Sequence, residues 1–230
     1  MGNVIFVTTT LPRLRPIDIG KPRMRGWLHT YAFGVAILCG IVLNSVAATR
    51  PGWAPLVACV VYSVTICALF GTSALYHRRV WSPHGYSVMK RLDHSMIYLF
   101  IAGTYTPFGL LLLPGRSGTT LLTIVWSGAI TGIAVKMTWP AGPRLISAGL
   151  YIALGWVAVA VLPQLKERGG PVVFALLLTG GLAYSGGAVC YALRRPNPWP
   201  RVFGHHELFH ACTLVAATCH HIAIYLALFA

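Results

Sequence analysis

Acidic side chains are almost missing from this sequence. Its 230 residues include four, Asp18, Asp93, Glu167 and Glu207, and charged residues of both signs make up only 10%. A water-soluble domain carries about 25% charged residues, so an ordinary soluble fold is excluded. Cysteine is also scarce. The six cysteines (Cys39, Cys59, Cys67, Cys190, Cys212, Cys219) lie inside apolar stretches and form no C-x-x-C pair. That argues against a disulfide framework or a thiolate zinc site and for buried, inert thiols. Before Arg13 the longest apolar run is Val4 to Val7, too short for a signal-peptide core, and no small-residue cleavage pattern follows. The first spanning segment is therefore expected to be the membrane anchor. No internal repeat is visible, so a transporter built from inverted halves gains no support. Lysine and arginine number 18, for a net charge of +14. They form no run interleaved with aromatics; they fill the gaps between apolar stretches. Topology and lipid head groups explain that pattern, and no nucleic-acid partner is expected.

Apolar residues are abundant, at 56% of the chain. Seven stretches reach the roughly 20 residues that a helix needs to cross a bilayer. They fall near Trp27–Ala48, Pro55–Tyr76, Leu92–Leu113, Thr119–Met137, Arg144–Leu162, Val172–Leu193 and His206–Phe229. Proline and glycine clusters separate them, among them Ser82-Pro83-His84-Gly85, Pro140-Ala141-Gly142-Pro143 and Gly169-Gly170-Pro171. The expected fold is all-α, a polytopic seven-transmembrane helix bundle, with a basic tail over residues 1–25 and one helical domain over 26–230. Fourteen of the basic residues fall on the side of the tail and four on the other (Arg50, Arg116, Lys166, Arg168). The positive-inside rule then puts the N-terminus in the cytoplasm and the C-terminus outside the cell membrane.

That orientation gathers unusual residues at one membrane depth. The second helix ends at Ser73-x-x-x-His77, the third starts with Leu92-Asp93-His94, and the seventh starts with His206-Glu207-Leu208-Phe209-His210. Two histidines four apart share one helix face, a spacing that suits two bonds to one metal ion. Ionisable groups inside a membrane segment are costly and usually functional. A catalytic zinc takes three protein ligands and keeps one open position, and His77, His206 and His210 would supply three neutral imidazoles. Zn2+ at such a site offers a water acidified towards about pH 7. Asp93 is the natural acceptor or general base for that water. Ser73, on the face of His77, could orient the water or donate to a developing oxyanion. Ser73 could instead bond back to its own helix, and Asp93 could serve a helix N-terminus or pair with Arg91. His94 is turned about 100° from Asp93 and reads as a neighbour, not a ligand. His220 and His221 lie about 15 Å or more beyond His210 and cannot share the metal. His29, His84 and His205 read as interfacial.

These residues carry a resemblance. Ser73-x-x-x-His77, Arg91-Leu92-Asp93-His94-Ser95-Met96-Ile97 with Gly103-Thr104-Tyr105-Thr106-Pro107, and Gly204-His205-His206-Glu207-Leu208-Phe209-His210 resemble the hemolysin III family. That family is related to the progestin and adipoQ receptors and, more distantly, to the alkaline ceramidases. The resemblance spans the second to seventh helices. It implies a seven-helix bundle with a cytoplasm-facing zinc site on His77, His206 and His210, with Asp93 and Ser73 at the water. One stretch departs from the family pattern. Arg25-Gly26-Trp27-Leu28-His29-Thr30 lacks the acidic residue that members often carry at the start of the first helix.

The expected activity is zinc-dependent hydrolysis of a lipid amide, ceramidase-like by the resemblance, on a membrane lipid whose tails stay in the bilayer. A formal H-E-x-x-H also suggests a metalloprotease with Glu207 as base, but no acidic third ligand follows His210. A receptor-like protein with a structural zinc is a further alternative, though the tail is shorter than the receptors' N-terminal domain. A membrane-lytic pore would need a polar lumen that these helices do not offer. The sequence does not specify an oligomeric state.

Overall fold

The computed structural model describes residues 21–113, 115–139 and 142–230. Most of the basic tail, including Arg13, Arg15 and Asp18, lies outside the described residues, as do Pro114, Pro140 and Ala141 of the expected breaks. The described residues are all-helical. The elements are α1 (Trp27–Ala48), α2 (Ala54–Arg78), α3 (Pro83–Leu111), α4 (Arg116–Thr138), α5 (Arg144–Gly155), a 3₁₀ segment (Trp156–Val161), α6 (Leu162–Leu193) and α7 (His205–Ala227). Among the described residues, five helical runs are long and apolar enough to cross a membrane: α1, α2, α4, α7 and the continuous run Arg144–Leu193.

The long run is a hairpin. The Arg144 guanidinium lies over the Tyr191 ring, 5.6 Å from its centroid, although the two residues sit near opposite ends of the run. The reversal occurs at Gly170, whose φ of 80° and ψ of 174° interrupt α6. Only glycine adopts that backbone without a steric cost, because any Cβ would meet the adjoining carbonyl groups. The 3₁₀ segment lies inside the first arm, within the stretch expected to be one regular helix. Its turn is held from outside. The Tyr105 hydroxyl donates to the Gly155 carbonyl at 2.5 Å and accepts from the Ala158 N–H at 2.8 Å.

Successive helices pack as neighbours, and α7 reaches back to α1, which closes the bundle. Outward faces carry large apolar side chains such as Leu38, Ile41, Val64, Ile130 and Leu182. A continuous exposed apolar surface of this kind suits lipid, not water. The interior helix is α3, which packs on α2, α4, α5 and α7. It starts at Pro83, nine residues before the expected Leu92, because Ser82 accepts from the Gly85 N–H and proline suits the first helical turn. Asp93 therefore sits about three turns inside α3, and a helix-terminus role for it is ruled out. Arg91 is no partner for it either, since its guanidinium donates to the Met137 carbonyl at 3.1 Å.

Candidate metal centre

His77 occupies the last turn of α2, while His206 and His210 lie one turn apart at the start of α7. The three present ring nitrogens that all lie within 4.8 Å of one another. The Nε2 atoms of His77 and His206 are 3.1 Å apart. Two nitrogens bonded at about 2.0–2.1 Å to one tetrahedral zinc lie about 3.3 Å apart, so the spacing fits a shared ion. Neutral imidazoles are good donors for a borderline-soft cation. His210 is 3% exposed, while His77 and His206 are half-buried. Gly26 sets the approach of α1 to this centre. Its φ is 82°, and a Cβ there would lie 2.7 Å from the Cβ of His77.

Glu207 does not face the triad. Its side chain is fully buried, ion-paired with the Arg25 guanidinium, and its second oxygen accepts from the Gly204 N–H at 2.8 Å. A carboxylate between a cation and a helix N-terminus anchors the first turn of α7. It is not available as the base of an H-E-x-x-H protease. Arg25 stands in the stretch where an acid was missing, and it meets its acid from α7 instead.

His29 corrects the sequence reading, which placed it at the interface. The ring is 3% exposed and stacks face to face on His210, with centroids 3.8 Å apart and planes 4° from parallel. Both of its ring nitrogens are buried with no hydrogen-bond partner among the described residues. A signal was present. The buried residues of α1, His29, Ala32, Ala36, Gly40, Leu43 and Ala47, form one helical stripe, and His29 is in phase with it.

Asp93 and Ser73 are both buried, at 8% and 2% exposure. They share the wall of one cavity of about 580 Å³ with His29, His206 and His210. The cavity continues between α3, α5 and α6 past Phe100, Phe108, Leu162 and Leu165. His94 lies on the same wall, and Tyr151 of α5 donates to its backbone carbonyl at 3.2 Å. His220 lines the far end with one ring nitrogen 3.3 Å from the Leu177 carbonyl, and His221 packs against Tyr62. Neither belongs to the triad. His84 lies exposed in the first turn of α3, and His205 opens α7 with its N–H on Asn197.

Comparison with known proteins shows the family. A sequence model of the family described as haemolysin-III related matches residues 17–221. Hemolysin-3 of Bacillus cereus is 35% identical over 187 residues, covering 80% of this chain and 82% of the relative. The heptahelical transmembrane protein ADIPOR2 of Oryza sativa subsp. japonica is 30% identical over 191 residues, 76% of this chain and 81% of the relative. The monocyte to macrophage differentiation factor of Homo sapiens is 24% identical over 169 residues, 72% of this chain and 68% of the relative.

Proposed function

This chain belongs to the haemolysin-III related family, and from that premise we propose that it is a seven-span membrane protein that uses zinc to hydrolyse a lipid amide. The hairpin Arg144–Leu193 counts as two spans in this reading, and α3, shielded from lipid by its neighbours, as the seventh. The heptahelical name of the rice relative supports that count. The positive-inside rule puts the triad at the cytoplasmic leaflet and the C-terminus outside.

The observation that carries the reading is the cavity. It joins two histidines of the triad, His206 and His210, with an acid and a hydroxyl on the same wall, to an apolar stretch lined by Phe100, Phe108, Leu162 and Leu165. His77, His206 and His210 would hold the ion. Zinc there supplies Lewis acidity and a nucleophile at neutral pH. Asp93 accepts the proton of the attacking water and returns it to the departing amine, a role worth about 10²–10⁴-fold. Ser73, on the same wall, orients that water or donates to the developing oxyanion. His29 packs the His210 ring in place.

The test combines metal analysis of the purified full chain with fatty-acid release from ceramide-like amides. Wild type is expected to hold one zinc, lost in His77→Ala and His210→Ala. Asp93→Ala should keep the zinc and lose hydrolysis by about 10²-fold or more. Absence of stoichiometric zinc in wild type rejects the shared site. Zinc retained without turnover of any lipid amide leaves a structural, receptor-like metal instead.

A further inference from the structure

The mouth of the cavity is cationic in a way that topology does not explain. Lys90, Lys136, Arg144 and Arg194 all line it, from α3, α4, α5 and the end of α6. Arg144 and Arg194 are exposed, Lys90 is half-buried, and Lys136 is only 5% exposed. A positive-inside bias calls for basic residues in loops and at interfaces; it gives no reason to bury an ammonium group. Lys136 donates to the Ser147 hydroxyl and has no carboxylate partner among the described residues. Asp93 is the one carboxylate on the described cavity wall, and it lies deeper.

The order of these groups along the cavity can be read from α3. Lys90, Asp93, His94, Ile97, Ile101, Thr104, Tyr105 and Phe108 form one stripe at helical spacing, and all face the cavity. Lys90 is outermost. Asp93 follows about 4.5 Å further in, and apolar side chains continue from there. An amide held at the depth of Asp93 therefore has its acyl chain in the apolar channel and its amine portion among the cations.

Resting on the hydrolase reading above, we propose that the substrate carries an anionic group, a carboxylate or phosphate, a short link from its amide nitrogen. Lys136 receives that group, with Lys90, Arg144 and Arg194 around it. The substrate class is an acylated amino acid or amino phosphate rather than an uncharged acyl amide. Hydrolysis breaks the amide C–N bond, forms a C–O bond from water and moves one water proton to the leaving nitrogen. The products are a fatty acid and an amine that keeps its anionic group. No oxidant or reductant enters.

The experiment compares N-palmitoyl glycine with N-palmitoyl ethanolamine, its uncharged counterpart, on the full chain in neutral detergent. The anionic amide is expected to have a KM lower by about tenfold or more, the range of a charge-assisted hydrogen bond. Lys136→Met should raise that KM by about tenfold, leave kcat within about twofold, and leave the ethanolamide unchanged. Lys90→Gln with Arg144→Gln gives the same test at the rim if Lys136→Met does not fold. Equal KM values for the two amides, or variants that slow both alike, overturn the proposal. Should neither amide turn over, equilibrium binding separates the two readings. Tighter binding of N-palmitoyl glycine, weakened by Lys136→Met, upholds the anionic mouth while the hydrolase reading falls. Inorganic phosphate that displaces the acyl glycine at equal affinity would mark a site for free anions and overturn a lipid substrate.

Discussion

Glu207 and Arg25 show how one side chain's partner changes its chemistry. Burial of a carboxylate is costly unless a cation and hydrogen bonds compensate, and Glu207 has both. Arg25→Ala leaves that charge unpaired and should destabilise the protein by about 3–5 kcal/mol. Glu207→Gln removes the charge itself, so the double variant should recover much of the loss; thermal unfolding of the three in detergent measures the coupling. Glu207→Gln should also keep its zinc and most of its turnover. Abolished activity with intact metal would revive Glu207 as a base. His29 is a second case at this scale. Its stack on His210 is a contact between residues far apart in sequence, and its helical phase shows burial but not the partner.

At the scale of elements, α3 and the hairpin decide the shape of the cavity. Polar residues Ser95, Thr104 and Thr106 are buried in α3, and Thr104 and Thr106 donate to carbonyls one turn back. Such a helix averages less apolar than its lipid-facing neighbours because protein, not lipid, surrounds it. The hairpin turns on Gly170. Gly170→Ala should cost about 1–3 kcal/mol, because its φ and ψ lie in a region reserved for glycine. Gly149→Ala, in open space on α5, should be neutral or stabilising by about 0.5–1 kcal/mol. Thermal unfolding of the pair checks both; equal effects would show that the break does not depend on the Gly170 backbone.

For the whole molecule, the ring of helices places the end of α2 and the beginnings of α7 and α1 around one centre. Fourteen basic residues against four predict that this end faces the cytoplasm. A tag at the C-terminus should be reachable by antibody on intact cells, and a tag at the N-terminus only after permeabilisation. The reverse pattern would invert the site's orientation.

Local periodicity was enough to read the helical class and the pairing of His206 with His210 on one face. Helix geometry sets those relations within a single segment. Expected α3 began too late because its polar first turns carry no hydrophobic signal, only the Ser82 cap and Pro83. Four features depend on elements brought together from distant parts of the chain: the ion pair that occupies Glu207, the stack of His29 on His210, the depth of Asp93, and the buried ammonium of Lys136. Those are packing outcomes, and only the tertiary structure decides them. Residue types and spacing, read alone, carried the histidine triad.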